Sequence, residues 1–137
     1  MARRLSFQLY SARNFGPLSR TAALLAETGY VEVEGYGGVY DAPEKAARTL
    51  AKAGLSMPSG HFGLDMLEGE FSRALDIARA FGMRMIFAPW LDEKDRPKTA
   101  AGWRKLGKRL ATINESLRAE GLSFGWHNHD FEFQPLA

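Results

Sequence analysis

The sequence predicts an α/β domain in which short parallel strands alternate with helices. Brief apolar segments recur along the 137-residue chain, and most are followed by a longer segment whose apolar residues repeat at spacings of three and four. Short connections between such alternating elements are typical of a parallel sheet with right-handed crossovers. The length matches one domain, which would span residues 1–137.

Nine elements are expected, in the order β-α-β-α-β-α-β-α-β. The strands are expected at residues 5–10, 30–33, 55–58, 83–88 and 122–126. The helices are expected at 18–27, 41–53, 66–81 and 103–117. The last helix is the clearest, because its apolar residues form a single stripe: Trp103, Leu106, Leu110, Ile113 and Leu117.

Residues at the expected helix ends support these boundaries. Asp41 is expected to cap the second helix, with Pro43 in its first turn and Glu44 closing a capping box. Gly29 and Gly82 directly follow expected helices, and glycine suits the left-handed conformation found there.

Composition excludes several classes of protein. Apolar residues make up 45% and charged residues 25% of the chain, which excludes a disordered chain, a collagen and a coiled coil. The absence of cysteine excludes disulfides, thiolate catalysis and thiolate metal sites. The net charge of +2 is weak evidence for a nucleic-acid partner. Because no membrane span or signal peptide is evident, we expect a cytoplasmic protein with neither a nucleic-acid nor a membrane partner.

Two architectures fit the alternation equally well. A five-stranded, open, doubly wound sheet would be complete at this length. A (β/α)8 barrel would be just over half built, because such barrels run to about 250 residues. Composition does not choose between them.

In both architectures ligands bind at the carboxyl ends of the strands, where many polar residues fall. All three histidines of the chain lie at such ends and none lies in a helix, which is the main indication of a site. The polar and aromatic residues expected there are Gln8, Tyr10, Ser11, Arg13, Glu32, Glu34, Tyr36, Ser59, His61, Asp65, Trp90, Asp92, His127, Asn128, His129, Asp130 and Glu132.

The segment 126–133 reads WHNHDFEF and carries two of these histidines. If it is extended, His127 and His129 point to the same face. Two imidazoles beside carboxylates can hold a divalent metal or bind sugar hydroxyls. The alternative is a strand end whose histidines satisfy local hydrogen bonds. An HNH nuclease is not indicated, because that pattern requires spaced residues.

Other candidates also have two interpretations. Glu34 is either a ligand or general base, or a solvated carboxylate, whereas His61 taken alone favours a structural role. Trp90 and Trp126 would either stack on a sugar ring or pack in the core. Residues 35–38 read GYGG and lack the third glycine of a dinucleotide-binding loop, which makes nicotinamide binding a poor interpretation.

Four segments together resemble one family. Residues 8–13 (QLYSAR) are similar to the QLYSxR opening of the sugar phosphate isomerase/epimerase family. Residues 33–38 (VEGYGG) and 59–62 (SGHF) resemble its second-strand and third-strand motifs, and 126–133 is close to its YHNHDFEF signature. The family lies in the xylose isomerase-like TIM-barrel superfamily, which also contains endonuclease IV.

This resemblance implies the N-terminal part of a (β/α)8 TIM barrel, about (βα)4β, with the later strands missing. It implies a divalent metal, Mn²⁺ or Mg²⁺, held mainly by those later strands, with His127 and Glu132 as the candidate ligands here. The implied catalytic residues are Glu34, as base or substrate contact, and His61, which would orient substrate hydroxyls. The implied substrate-binding residues are Gln8, Tyr10, Arg13, Tyr36, Trp90, Asn128 and His129.

The implied activity is isomerisation or epimerisation of a sugar or sugar phosphate by proton transfer next to a carbonyl. Because half of the site would be missing, we expect the fragment to be inactive alone. One alternative is an endonuclease IV-like nuclease, which the near-neutral charge disfavours. Another is a non-catalytic half-barrel that forms homo-oligomers through its exposed edges. The isomerase interpretation requires parallel strands that bring Glu34, His61 and His127 to one pocket.

Overall fold

The computed structural model describes residues 4–135 and contains one five-stranded parallel sheet. The strands are β1 Ser6–Gln8, β2 Glu32–Gly35, β3 Ser56–His61, β4 Met85–Ala88 and β5 Ser123–Trp126. Their order in the sheet is their order in the chain, and every neighbouring pair is parallel. The predicted α/β class and parallel arrangement are therefore confirmed.

Helices follow each of the first four strands. They are α1 Leu18–Glu27, α2 Pro43–Lys52, α3 Leu64–Gly69, α4 Phe71–Phe81 and α5 Ala100–Ala119. Short 3-10 turns occupy Leu9–Ala12, Gly37–Val39, Glu93–Asp95 and Phe131–Phe133. Across residues 4–135, no helix combines the length and the apolar character needed to cross a membrane.

Two details of the predicted helices are wrong. The helix expected at 66–81 is two helices, α3 and α4, separated at Glu70, whose φ of −127° and ψ of 39° are not helical. Gly69, a weak helix former, immediately precedes the break. Asp41 does not cap α2, because Ala42 occupies the cap position and no side chain bonds there. Pro43 does begin the helix, and Glu44 lies in its first turn.

The strand boundaries also differ from those expected. The chain leaves β1 after Gln8 and enters a 3-10 turn, so Tyr10 is outside the strand. β2 and β3 extend further than predicted, to Gly35 and His61. The later strand ends mean that Glu34 and His61 belong to the sheet itself, where strand pairing fixes their backbone.

An irregularity in β3 decides which of its side chains face the site. Glu32 pairs with Ser56 but Glu34 pairs with Ser59, so β3 holds one extra residue over this stretch. An extra residue reverses the alternation of side chains along a strand. Met57 and Gly60 therefore both lie toward the buried helix layer, and Ser59 and His61 lie on the opposite face.

The core lies between the sheet and the helices. The largest fully buried side chains are Phe62, Leu50, Met57, Ile86, Leu117 and Val33. Tyr40 is also buried and stacks on Phe62, with ring centroids 4.8 Å apart. Its hydroxyl occupies space left by two glycines: a Cβ on Gly35 would lie 2.8 Å from that oxygen, and one on Gly60 would overlap it. These glycines allow the phenol to pack against the ends of β2 and β3.

The apolar stripe of α5 is confirmed, since Leu106, Ile113 and Leu117 are buried and the rest of the stripe packs beside them.

Leu117 is 0% exposed, so Leu117→Ala leaves a cavity and should lower the free energy of unfolding by about 2–5 kcal/mol in urea titrations. Leu24 on α1 is 56% exposed, and Leu24→Ala is the matched control, with an expected change below about 0.5 kcal/mol. Equal losses in the two variants would contradict this placement of the core.

Candidate functional site

The centre of the site is Glu34 on β2, which accepts hydrogen bonds from neighbouring strands on both sides. Gln8 and Ser59 are its register partners on β1 and β3. Gln8 Nε2 donates to Glu34 Oε1 over 3.2 Å, and Ser59 Oγ donates to Glu34 Oε2 over 2.8 Å. His61 Nε2 lies 2.9 Å from Glu34 Oε1. The three strands thus place four polar side chains in one connected group.

These contacts set the charge of Glu34. The hydrogen bond from His61, together with those from Ser59 and Gln8, lowers the pKa of Glu34 from 4.5 to about 2, although burial opposes the shift. At neutral pH the carboxylate is fully ionised and binds a proton weakly. Because its partner nitrogen is Nε2, a neutral His61 has its hydrogen on Nε2 and its lone pair on Nδ1.

A cavity of about 450 Å³ opens beside this group at the carboxyl ends of the strands. Its polar lining includes Gln8 and the three histidines, and its remaining lining is largely aromatic. The lining residues are Gln8, Tyr10, Tyr36, Gly37, Tyr40, His61, Phe62, Gly63, Met66, Pro89, Trp90, His127 and His129. A cavity with a few polar groups between aromatic walls is typical of a small-molecule site.

The histidines form a chain of contacts along this cavity. The ring centroids of His61 and His127 are 4.8 Å apart, and those of His127 and His129 are 5.0 Å apart. Burial, with the proximity of His61 and His129, lowers the pKa of His127. Of the three residues expected at one pocket, His61 and His127 line this cavity, and Glu34 lies behind His61, to which it is bonded.

Glu132 holds the segment after β5 in place. Its Oε1 accepts a hydrogen bond from the indole Nε1 of Trp126 over 2.7 Å, and its Oε2 accepts one from the backbone N of His129 over 2.8 Å. The strand ends at Trp126, so residues 127–130 lie beyond the assigned sheet. His127 and His129 both line the cavity: the backbone of His127 is held by Ala88 O, and that of His129 by Glu132.

The structure brings most of the predicted site residues together. Glu34 contacts the cavity through His61. Arg13 lies elsewhere: its guanidinium covers the Tyr10 ring at 4.1 Å, and it lines a smaller adjacent cavity. Asn128 is exposed and lies outside the main cavity, as does Glu132. Trp126 bonds to Glu132 and is not part of the cavity wall.

Some residues in or beside the cavity were not among the predicted site residues. Ser59 was noted only as a residue at a strand end, although its place beside His61 in the SGHF segment was a usable signal. Phe62 ends the same segment, whereas Tyr40 and Met66 reach the cavity through tertiary packing, for which a single sequence carries no signal.

Whether these residues alone could bind a metal ion depends on how many ligating side chains they bring together and on which of their atoms are still available. Within residues 4–135 no group of three His, Asp or Glu side chains is arranged to bind a metal ion. Three of the acceptor positions of Glu34 are used within the protein, and both oxygens of Glu132 already accept hydrogen bonds. Metal sites in proteins generally have three or more protein ligands. The described residues do not fit a metal by themselves.

Comparisons with known proteins bear on the fold. No family model and no curated protein matches the sequence. A sugar phosphate isomerase/epimerase from Parabacteroides distasonis matches with a TM-score of 0.83 at 19% identity, over 99% of this chain and 55% of that one. An AP endonuclease, family 2, from Brucella melitensis matches with a TM-score of 0.73 at 19% identity, over 99% and 58%. The IOLI protein with a binding zinc atom matches with a TM-score of 0.71 at 13% identity, over 90% and 51%.

The similar structures are TIM barrels of the xylose isomerase-like kind, as the sequence motifs implied. The chain spans about half the length of each of them. Of the two architectures, these likenesses support part of a barrel over a complete doubly wound sheet. At such low identity they establish the fold alone.

The depressed pKa of Glu34 predicts a particular pH dependence of stability. Because the folded pKa is about 2 against an ordinary 4.5, the stabilisation is complete above pH 4.5 and is lost as the pH falls toward 2. In urea titrations, the advantage of the wild type over Glu34→Gln should be about 1–2 kcal/mol smaller at pH ~3 than at pH ~7. Glu115→Gln, at an exposed site on α5, should show no such change. A Glu34 carboxyl carbon that titrates near 4.5 by NMR would contradict the hydrogen-bonded arrangement.

The contacts of Glu132 predict that its main effect is on structure. Glu132→Ala leaves the Trp126 indole and the His129 amide without their acceptor, and should cost about 1–3 kcal/mol in unfolding free energy. The Trp126 indole proton should also shift upfield in the NMR spectrum. Glu115→Ala is the control for loss of a glutamate. An unchanged Trp126 signal in Glu132→Ala would show that the hydrogen bond is absent.

Proposed function

We propose that this chain forms the N-terminal half of the active site of a sugar isomerase or epimerase. One observation carries the proposal: Glu34 and His61 form a hydrogen-bonded pair beside a cavity with histidines and aromatic rings in its wall. Proton transfer next to a carbonyl requires groups that accept a proton and groups that hold hydroxyl oxygens in place. The pair and its neighbours supply both.

Of the two roles predicted for Glu34, the hydrogen-bond pattern favours substrate contact over general base. A carboxylate with a pKa of about 2 is a weak proton acceptor at neutral pH. Its two oxygens offer about four acceptor positions, of which Gln8, His61 and Ser59 use three. One position remains for a substrate hydroxyl. By fixing His61, Glu34 also leaves Nδ1 as the ring nitrogen with a free lone pair.

The histidines are therefore the groups proposed to transfer the proton. We assign the accepting role to His61 or to His127, whose lowered pKa keeps it neutral near pH 7. His129, at the far end of the row of rings, would contact substrate hydroxyls. No step is assigned to a metal, because the described residues do not hold one. Any Mn²⁺ or Mg²⁺ would need donors from polypeptide beyond these residues.

The aromatic wall fits the non-polar faces of a sugar. Trp90 is 44% exposed beside the cavity, and Tyr10 packs edge-on against Tyr36 with ring centroids 5.5 Å apart. Flat rings of this kind bury the C–H face of a sugar while the polar floor binds its hydroxyls.

The half-barrel is proposed to need a second half for turnover. In the described sheet β1 and β5 are the two edge strands, each paired with a single neighbour. The cavity is therefore open on the side between them. Either continuing polypeptide or a second copy of the chain would close it. We therefore propose that residues 1–137 form one domain-like unit that binds ligand but does not turn it over.

Nuclease activity is the alternative, and the cavity does not favour it. Backbone phosphates are usually bound by Lys and Arg, and the part of the cavity wall built from residues 4–135 contains neither. Its lining suits a compact polyhydroxy compound better than a duplex.

The proposal predicts that sugars bind at the cavity. Titrating D-fructose or D-fructose 6-phosphate into the ¹⁵N-labelled chain should shift the side-chain signals of Gln8, His61, His127 and Trp90, with a Kd of about millimolar strength. Gln8→Ala should weaken binding about tenfold, because Glu34 loses a donor that orients it. Gln134→Ala is the matched control, since Gln134 is exposed and lies outside the cavity.

Three outcomes would contradict the proposal. No shift at the cavity up to about 100 mM sugar would remove the binding function. Salt-dependent binding of an abasic DNA duplex at the same residues would favour the nuclease. Turnover of either ketose by the 137-residue chain, with or without Mn²⁺, would show that the site is already complete.

A further inference from the structure

Arg96 lies in the connection between β4 and α5 (residues 89–99) and touches two aromatic rings. Its guanidinium carbon is 4.0 Å from the centre of the Phe131 ring and 4.7 Å from the centre of the Trp90 ring. Its Nε donates a hydrogen bond to the carbonyl oxygen of Leu91 over 3.1 Å. Within residues 4–135 it forms no ion pair, so the two rings and one carbonyl are the contacts that hold it.

The rings that Arg96 contacts belong to a cluster that reaches the cavity. Trp90 and His129 form a T-shaped pair with ring centroids 4.8 Å apart, and Phe131 stacks on His129 with a separation of 6.0 Å and an interplanar angle of 10°. Both Trp90 and His129 line the cavity, whereas Arg96 and Phe131 do not. Arg96 therefore lies behind two cavity residues.

Arg96 also joins two loops that share few other bonds. Backbone pairing between β4 and β5 continues only as far as the hydrogen bond from His127 N to Ala88 O, 3.0 Å long. Beyond that point the 89–99 connection and residues 127–133 are held together by side chains. A planar guanidinium is suited to this, because it lies flat on aromatic faces while its Nε–H remains free to donate.

We propose that Arg96 is a positioning residue that sets the orientation of Trp90 and, through it, the affinity of the cavity for a sugar. The effect on sugar affinity rests on the proposed function. The effect on the orientation of Trp90 does not, because it concerns only the contact between Arg96 and Trp90. Arg96 touches no substrate. It acts by holding the Trp90 ring in its T-shaped contact with His129, so that the wall is already formed before a ligand arrives.

The test uses the indole N–H signals of the ¹⁵N-labelled chain, which contains three tryptophans. Trp90→Phe assigns the Trp90 signal, and the Trp126 signal reports independently whether the segment after β5 remains bonded to Glu132. Arg96→Gln should move and broaden the Trp90 signal while leaving the Trp126 signal in place. Arg96→Lys should restore it only in part, since an ammonium cannot lie flat on both rings. Arg79→Gln, at an exposed ion pair on α4, is the control and should change neither signal.

Fructose titrations of the same variants test whether Arg96 affects the affinity of the cavity for a sugar. Arg96→Gln should weaken binding about twofold to fivefold, as expected for the loss of a cation–π contact. An unchanged Trp90 signal in Arg96→Gln overturns the proposal, as does a displaced Trp90 with unchanged sugar affinity. If the wild type binds no fructose, the proposed function fails, while the Trp90 signal still decides whether Arg96 holds the ring. If Arg96→Gln does not fold, Arg96→Lys takes its place with the same readouts.

Discussion

In a parallel sheet, register partners on neighbouring strands stand side by side on one face, so strand pairing decides which polar groups meet. Gln8, Glu34 and Ser59 are such partners across β1, β2 and β3. The extra residue in β3 is essential to this row, because without it Glu34 would pair with Pro58 and the face would reverse. The same irregularity places His61 beside Glu34 and places Gly60 under the Tyr40 hydroxyl. The chemistry of the site thus depends on one local departure from regular strand geometry.

The order of elements was predictable because apolar periodicity and glycine positions act locally. Gly82, for example, ends α4 with a φ of 67°, a conformation that glycine adopts without strain. The pairing of Glu34 with His61 was not predictable from spacing, since it depends on register between strands far apart in sequence. The irregularity in β3 could not be predicted from the apolar pattern, because Ser59, Gly60 and His61 do not alternate between apolar and polar residues. The motifs that resemble those of a known family implied that these residues act together, but not how they are bonded.

The HNHDFEF segment shows why residue type does not determine role. Two histidines near a carboxylate resemble a metal-binding set, and Glu132 was the carboxylate candidate. In the structure its oxygens face the Trp126 indole and the His129 amide, two donors that would otherwise lack a partner near the end of the sheet. Leaving such donors unpaired is costly, so a carboxylate that satisfies both is not readily released to a cation. The pattern is equally suited to shaping a loop and to binding a metal.

The two sides of the cavity are held by different forces. Strand pairing and hydrogen bonds fix the polar floor of Gln8, Glu34 and His61, so a change there disturbs several bonds at once. The aromatic wall of Trp90 and His129 depends instead on side-chain stacking between two loops, with Arg96 behind it. Loops on a rigid sheet tolerate substitution better than the strands that carry them. The wall can therefore vary while the floor keeps its chemistry, as loop variation around a constant set of strands allows in barrels generally.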